Sequence, residues 1–430
     1  IILHELGHFI PAKMFKTRVE KFYLFFDVKY SLLKKKIGET EYGIGWLPLG
    51  GYVKIAGMID ESMDKEQMQG EAQPWEFRSK PAWQRLIIML GGVTVNFILA
   101  FVIYIGMAYA YGDFYIKNED LKDGIWVTNP VVESAGIKTG DKIISVDGHK
   151  VERFVPSVSL DILMSKQLIV ERDGQNVEID LPVNFIGKIL DENKKNVITL
   201  RMPFVVGKID ESSVNKELKA KDILVSINGN KIKYIDEART QLEALKNQKV
   251  PAVVLRDNKE TAITLQVDKE GKLGVALGGL QEENLEKLGY YKFSKEQYGF
   301  FESFPIGIDR GVTQLGKYWK QLKAIFNPST GAYKGVGGFA AIYNVFPDTW
   351  SWETFLFISA LLSIMLGVMN LLPIPALDGG HVMFLLYEMI SGKTPSDKFM
   401  EKAQLVGFVL LISLLLFANG NDIYKAIVGK

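Results

Sequence analysis

The sequence predicts an α-helical polytopic membrane protein with four transmembrane helices and an inserted pair of β-rich domains. Three observations carry this prediction. The first is a set of three long stretches without a charged residue: 27 residues at 86–112, 24 at 354–377 and 19 at 403–421. The second is a 14-residue pattern that occurs twice in the polar middle of the chain. The third is a pair of histidine motifs that lie beside apolar stretches, one near each end of the chain.

The uncharged stretches are the length that membrane helices need. A helix crosses the hydrocarbon core of a bilayer in about 20 residues, and Trp83, Trp350 and Trp352 flank the stretches as interfacial aromatic residues do. Residues 1–3 are apolar and are interpreted as the end of a further helix, cut short in this sequence, which gives four spans. The alternative is a set of buried helices in a large soluble core, but such a core seldom needs three stretches of this length.

Composition excludes several other classes of protein. At 430 residues, with 47% hydrophobic and 23% charged residues, the chain is too long for one small domain and too apolar for disorder. Its net charge of +1 gives no indication of nucleic-acid binding. The absence of cysteine excludes disulfides, thiolate catalysis and a Cys-ligated zinc, so that histidine and carboxylate are the available strong metal ligands.

Lysine and arginine predict the orientation in the membrane. Residues 13–36 are basic, and Lys393, Lys398 and Lys402 precede the last span. The positive-inside rule puts both segments in the cytoplasm and residues 113–350 on the opposite side.

The repeated pattern lies in that opposite segment. Residues 138–151 match residues 219–232 at a constant offset of 81, and each copy contains a strand that ends in an Asp-Gly or Asn-Gly turn. Both copies resemble the second half of a PDZ domain, a fold that captures extended peptides at a sheet edge. The alternative is two small β-rich domains that only pack together.

The first histidine motif is His4-Glu5-Leu6-Gly7-His8, an H-E-x-x-H pattern. On a helix, His4 and His8 share a face and can present two imidazoles to one metal ion, while Glu5 can act as general base on a water molecule. A cluster on a solvated helix face is the alternative, and the neighbouring apolar residues disfavour it.

The second motif supplies a candidate third ligand. Asp378 is the acid at the end of the 24-residue stretch, and catalytic zinc usually has three protein ligands. Pro373 and Pro375 break the preceding helix, so we expect an extended segment that lines the same cavity as the histidines. Helix capping is the alternative role for Asp378 and also for Asn370, whose amide could instead contact a scissile carbonyl. His381 is either a partner of the metal ligands or a structural residue.

Taken together, the motifs resemble the bacterial site-2 protease family of intramembrane zinc metalloproteases, of the regulator of sigma-E protease type. The matching elements occur in order along the whole chain: His4–Phe9, Gly50–Lys54, Phe77–Arg85, Asn96, the repeats, and Asn370–Gly380. Two departures occur, because Gly92-Val93 and Gly338-Phe339 stand where the family usually has Gly-Pro.

The resemblance implies a zinc metalloendopeptidase (hydrolase) with Zn²⁺ held by His4, His8 and Asp378, Glu5 as the general base and Asn370 as a substrate-positioning catalytic residue. It implies a location in the bacterial inner membrane, with periplasmic PDZ-like domains and an active site toward the cytoplasmic side. The implied partners are the lipid bilayer and single-pass membrane substrates such as anti-sigma factors and signal-peptide remnants, cleaved in regulated intramembrane proteolysis. Peptide ligands for the PDZ-like domains are also implied. It further implies that residues 43–54 form a hairpin that enters the membrane and pairs with the substrate.

The predicted organisation divides the chain into ten segments: a truncated first span (1–12), a cytoplasmic region with the hairpin (13–84), a second span (85–112), two PDZ-like domains (113–203 and 204–281), an amphipathic connector (282–352), a broken third span (353–390), a loop (391–401), a fourth span (402–421) and a tail (422–430).

Two other functions are compatible with parts of the pattern. A transporter would also have a proline-broken membrane helix, but it predicts a second broken span, and residues 86–112 contain no proline. A membrane-anchored peptide-binding adaptor with a structural metal site would be insensitive to loss of the Glu5 carboxylate.

Overall fold

A computed structural model of the chain describes residues 1–58, 70–155, 157–192, 197–211, 213–347 and 349–428. Part of the predicted cytoplasmic region and the last two residues of the predicted tail therefore lie outside the described residues.

Most strands lie between residues 113 and 296, and the long helices lie outside that range. The helices are α1 (Ile2–Met14), α2 (Ala82–Tyr111), α3 (Pro130–Ser134), α4 (Val158–Leu163), α5 (Phe185–Asp191), α6 (Ile235–Ala244), α7 (Glu282–Lys287), α8 (Ser303–Phe326), α9 (Phe339–Tyr343), α10 (Trp352–Leu371), α11 (Asp378–Ser391) and α12 (Asp397–Val428). The strands are β1 (Val19–Ile37), β2 (Thr40–Ile55), β3 (Asp113–Lys117), β4 (Ile125–Val127), β5 (Lys142–Val146), β6 (His149–Lys150), β7 (Arg153–Phe154), β8 (Gln167–Arg172), β9 (Gln175–Asp180), β10 (Ile198–Leu200), β11 (Val206–Ile209), β12 (Ile223–Ile227), β13 (Asn230–Lys231), β14 (Lys249–Arg256), β15 (Lys259–Gln266), β16 (Val275–Leu277) and β17 (Phe293–Glu296).

The chain forms two compact units. The helical unit comprises residues 1–112, 297–319 and 336–430, and the repeat unit comprises residues 113–296 and 320–335.

Among its described residues, the helical unit contains three helices that are long and apolar enough to cross a membrane: Ala82–Tyr111, Trp352–Leu371 and Lys398–Ile427. Large apolar side chains on α12 such as Val406 and Leu416 are 65% and 68% exposed, which suits contact with lipid rather than with water. The predicted membrane character is thus confirmed.

The third of these helices is longer than expected. α12 begins at Asp397, whereas the sequence placed the start of this span at residue 402. The hydroxyl of Ser396 accepts a hydrogen bond from the Phe399 backbone N–H at 3.3 Å, so a serine cap starts the helix inside the predicted loop.

α1 and α2 pack at close range through glycine. A methyl group added at Gly7 would lie 2.6 Å from the Gly91 carbonyl carbon and 2.7 Å from the Gly92 Cα, so only glycine permits this approach. The contact brings the H-E-x-x-H helix directly against the second span.

β1 and β2 form a strongly bent antiparallel hairpin. The first part of β1 pairs on one side with residues 51–55 and on the other with residues 41–44, as in Phe22 opposite both Val53 and Tyr42. The hairpin therefore spans residues 19–55 and turns at Gly38, whereas the sequence expectation confined it to residues 43–54. Residues 51–55 lie at the outer edge of this sheet.

The break in the third span is a turn. Between α10 and α11, the N–H of Ile374 donates to the Leu372 carbonyl at 2.7 Å and that of Leu377 donates to the Ile374 carbonyl at 3.0 Å. Ala376 has a φ of 77°, a left-handed value that is uncommon outside glycine. The expectation of an extended segment is wrong in this respect, because these hydrogen bonds fold residues 372–377 into a turn. The helix does end where the prolines predict.

The repeat unit contains two equivalent four-stranded sheets, with orders β6-β5-β8-β9 and β13-β12-β14-β15. Asp147 and Gly148 have φ values of 49° and 79°, and Asn228 and Gly229 have 48° and 80°, which are the paired positive values of a type I′ hairpin turn. Each sheet covers its own cluster of buried apolar residues.

Each repeat also holds a buried aspartate at the same place. Asp141 and Asp222 are each 1% exposed and accept hydrogen bonds from Arg172 and Arg256. The two arginine–carboxylate pairs occupy equivalent positions in the two repeats.

A polar joint connects the two repeats. The carboxylate of Asp123 accepts hydrogen bonds from Lys233 at 2.5 Å and from Tyr234 at 2.6 Å, and Arg201 pairs with Asp236. Although burial alone would raise the pKa of Asp123, the hydrogen bonds and charge of Lys233, together with the Tyr234 hydroxyl, lower it below its usual value. β17 pairs with β3, so the chain returns to the first repeat within the segment assigned to the connector.

Candidate metal centre and cavity

A cavity of about 510 Å³ lies in the helical unit at the level of the helix break. Its walls come from α1, the β1–β2 hairpin, α2, the end of α10, the turn before α11, α11 and α12. All five residues singled out from the motifs line it, and so does His381: His4, Glu5, His8, Asn370, Asp378 and His381.

Three donor atoms converge at one end of this cavity. The Nε2 atoms of His4 and His8 lie 3.4 Å apart, and Asp378 Oδ2 lies 3.5 Å from the first and 3.3 Å from the second. The two imidazoles are 8% and 7% exposed. The structure thus brings together residues that are about 370 positions apart in the sequence, and among the described residues this is the group of three that could hold a metal ion.

Their spacing fits a tetrahedral zinc ion. Zinc binds nitrogen and carboxylate oxygen at about 2.0–2.1 Å, which separates two ligand atoms of a tetrahedron by about 3.3–3.4 Å. The three observed separations of 3.3, 3.4 and 3.5 Å agree with that value. Asp378 Oδ2 is also buried without a hydrogen-bond partner, as expected of an atom whose natural partner is a cation.

Helix α2 orients both imidazoles. His8 Nδ1 lies 2.8 Å from the Ile88 carbonyl oxygen, to which it can donate its proton, leaving the Nε2 lone pair directed at the donor cluster. His4 Nδ1 lies 3.0 Å from the Asn96 amide. Gly92 lies between Ile88 and Asn96 on α2, and a methyl group at Gly92 would come within 2.6 Å of His4 Cε1.

The remaining motif residues lie around this cluster. Glu5 faces the cavity and lies close to Gly51 of the hairpin edge, since a methyl group at Gly51 would be 3.1 Å from Glu5 Cγ. The Asn370 amide nitrogen is 3.1 Å from His4 Nε2. His381 is farther along α11, where its Nε2 lies 3.2 Å from the Gln404 amide of α12.

Three contributors to the site carried little signal in the sequence. The Ile88 carbonyl belongs to the backbone and is independent of side-chain identity. Gln404 is a single polar residue, 5% exposed, at the start of an apolar span. Asn96 was noted only through the family resemblance, although an isolated amide within 27 uncharged residues could have indicated a polar contact.

An H-E-x-x-H helix joined by a distant aspartate beside a cavity, in a unit built of membrane-length helices, defines a membrane-embedded metalloprotease. The sequence model of peptidase family M50 matches residues 1–414, and the chain belongs to that family.

Curated relatives match over nearly the full length. A protein of Fusobacterium nucleatum described as "Putative zinc metalloprotease" is 28% identical, with 99% of this chain and 95% of that protein covered. One of the same description from Xylella fastidiosa is 25% identical, with 98% and 96% covered. "Regulator of sigma E protease" of Haemophilus influenzae is 26% identical, with 99% and 96% covered. A solved PDZ domain of an SdrC-like protein from Listeria monocytogenes matches 20% of this chain and 94% of its own at 20% identity, with a TM-score of 0.16, too low to establish the fold of either repeat.

The family and these relatives confirm the predicted resemblance and class. The protein is a zinc metalloprotease of the membrane, of the site-2 type.

Proposed function

We propose that the protein is an intramembrane endopeptidase that cleaves transmembrane segments of single-pass proteins, with zinc held by His4, His8 and Asp378. The observation that carries the proposal is the convergence of these three donor atoms within 3.5 Å of one another, beside a cavity in the unit of membrane-length helices. When bound, zinc supplies Lewis-acid polarisation of the scissile carbonyl and activation of water.

Glu5 is the proposed general base and acid. Its carboxylate follows His4 on α1 and faces the cavity, so it can take a proton from the attacking water and return it to the leaving amine. The Asn370 amide, next to His4 Nε2, is placed to donate a hydrogen bond to the oxygen of the scissile carbonyl as charge develops there.

The hairpin edge is the proposed site for the unwound substrate. A transmembrane helix hides its peptide bonds, so the substrate must become extended before hydrolysis, and its freed backbone groups then need new partners. Residues 51–55 line the cavity at the outer edge of the sheet, which supports pairing with an added substrate strand.

The rest of the proposed organisation follows the sequence prediction. α1 belongs to the first of four spans, and the two repeats are PDZ-like domains on the periplasmic side of the bacterial inner membrane that bind peptide ligands. The active site lies toward the cytoplasmic side. The substrates are anti-sigma factors or signal-peptide remnants whose ectodomains another protease has trimmed, and the repeats exclude untrimmed ones.

The test compares Glu5→Gln with the parent protein on trimmed and untrimmed single-pass substrates in proteoliposomes. We expect Glu5→Gln to lose at least about 100-fold in cleavage rate, the usual contribution of a general base, while it keeps one zinc per chain. A chelator should abolish cleavage by the parent, and trimmed substrates should be cleaved faster. Unchanged cleavage by Glu5→Gln would refute the proposed role of Glu5, and peptide binding without any zinc-dependent cleavage would instead support the adaptor.

A further inference from the structure

We infer that Asn96 is a positioning residue that fixes the tautomer and the ring orientation of His4, so that Nε2 is available to the metal. The inference rests on the ligand set proposed above. It concerns a residue of α2 that donates no ligand atom and that the motif analysis left without a role.

The first argument is the cost of burying an amide. Asn96 is 3% exposed in a helix where the surrounding stretch has no charged residue. A buried carboxamide costs free energy unless its polar atoms find partners. Here the side-chain partner is His4 Nδ1 at 3.0 Å, the ring nitrogen that faces away from Asp378.

The second argument is the chemistry of a neutral imidazole. One ring nitrogen carries the proton and the other carries the lone pair. For His4 Nε2 to bind a metal, Nδ1 must therefore carry the proton and needs an acceptor. The oxygen and nitrogen of the Asn96 amide exchange places by half a turn of the amide group, so that the amide can accept a hydrogen bond from Nδ1.

The third argument is the parallel with the other histidine. The Ile88 carbonyl occupies the equivalent place for His8, at 2.8 Å from Nδ1. Positions 88, 92 and 96 follow one another at intervals of four and therefore share one face of α2. A single helix face thus holds both imidazoles, with a backbone acceptor for one ring and the Asn96 side chain for the other.

Two further contacts limit how much zinc affinity should fall when the Asn96 amide is removed. The hydroxyl of Ser363 on α10 donates to the Asn96 backbone carbonyl at 2.8 Å, which fixes this part of α2 independently of the amide. Gly92 also lies against the His4 ring, since a methyl group there would come within 2.6 Å of His4 Cε1, so the ring keeps a close neighbour on α2 when the amide is removed. Loss of a hydrogen-bond partner of a ligating histidine typically weakens metal binding 10–100-fold, and we expect about 10-fold here.

The experiment titrates the zinc-free, full-length protein in detergent with zinc against a competing chelator. Asn96→Leu keeps the shape of the side chain and removes the acceptor, and it should bind zinc about 10-fold more weakly. Asn96→Asp restores an acceptor and should bind at least as tightly as the parent. With cobalt as the probe, Asn96→Leu should also change the visible absorption spectrum of the site.

Ser363→Ala is the matched control, because it removes a hydroxyl from the same cluster and leaves the amide in place. Zinc affinity of Asn96→Leu within twofold of Ser363→Ala would overturn the inference. If Asn96→Leu fails to fold, Asn96→Asp decides: parental affinity supports the inference, and an affinity reduced 10-fold or more overturns it. An Asp378→Ala variant that binds zinc like the parent would refute the ligand set itself.

Discussion

Gly92 offers the sharpest test of the site geometry, because its replacement by alanine changes one methyl group beside both imidazoles. The added Cβ would lie 2.6 Å from His4 Cε1 and 2.8 Å from His4 Nδ1, and closer still to His8 Nε2. Ordinary contact begins at 3.4 Å, so the His4 ring must withdraw by about 0.8 Å, whereas a metal site tolerates shifts of about 0.2 Å.

We therefore expect Gly92→Ala to lose more than about 100-fold in zinc affinity, beyond the 10–100-fold cost of losing one supporting hydrogen bond. Peptide cleavage should fall with it. The loss should occur even though alanine favours a helix over glycine by about 1 kcal/mol. Competitive zinc titration and metal analysis of the purified protein measure the first effect, and a substrate cleavage assay measures the second.

Gly106→Ala is the matched control on the same helix, since a methyl group there meets nothing within 4 Å. This variant should keep parental zinc affinity and cleavage. Zinc affinity of Gly92→Ala within threefold of the parent would refute the proposed arrangement of the rings against α2.

Three further predictions concern stability. Arg256→Met leaves the buried Asp222 carboxylate without its guanidinium and should destabilise the protein by about 3–5 kcal/mol, measured as a lower midpoint of chemical unfolding; an unchanged midpoint would contradict the buried pair. Asp123 has a lowered pKa when folded, so its contribution is present above the unfolded pKa of about 4 and is lost as pH falls through the lower folded pKa. Asp123→Asn should accordingly reduce the change of the thermal unfolding midpoint with pH below about 4. The same pH dependence in the variant and the parent would contradict the polar joint between the two repeats. Removal of zinc by a chelator should lower the thermal midpoint reversibly, because zinc binds the folded state, and an equal shift in Asp378→Ala would locate the effect elsewhere.

The sequence predicted the parts of the site that depend on short spacing. His4, Glu5 and His8 follow from one helical turn, and Asp378 follows from its place after a proline-broken apolar stretch. Local backbone geometry determines these features: one helical turn sets the spacing of the histidines, and the prolines end the apolar helix shortly before Asp378. The I′ turns of the repeats were predictable for the same reason.

The parts that could not be predicted depend either on contacts between distant elements or on local features outside the recognised motifs. The Ile88 carbonyl has no side-chain signature, and the position of β17 beside β3 rests on a four-residue strand without a clear alternating pattern. The turn before α11 includes Ala376, directly after Pro375, with a positive φ that residue type alone does not indicate. The early start of α12 depends on the Ser396 hydroxyl, which accepts a hydrogen bond from the Phe399 backbone N–H outside the uncharged stretch that predicted the span.

α12 supports the segment that carries Asp378 through one backbone contact and one side-chain contact. Gly407 leaves no room for a methyl group against the Pro375 carbonyl, three residues before Asp378, and Gln404 contacts His381 three residues after it. A sideways displacement of this helix by a fraction of an ångström would therefore move the aspartate relative to the histidines. By thermodynamic reciprocity, a displacement of α12 that moves Asp378 also changes the affinity for the ion, and ion binding favours the position of α12 in which the three donor atoms converge.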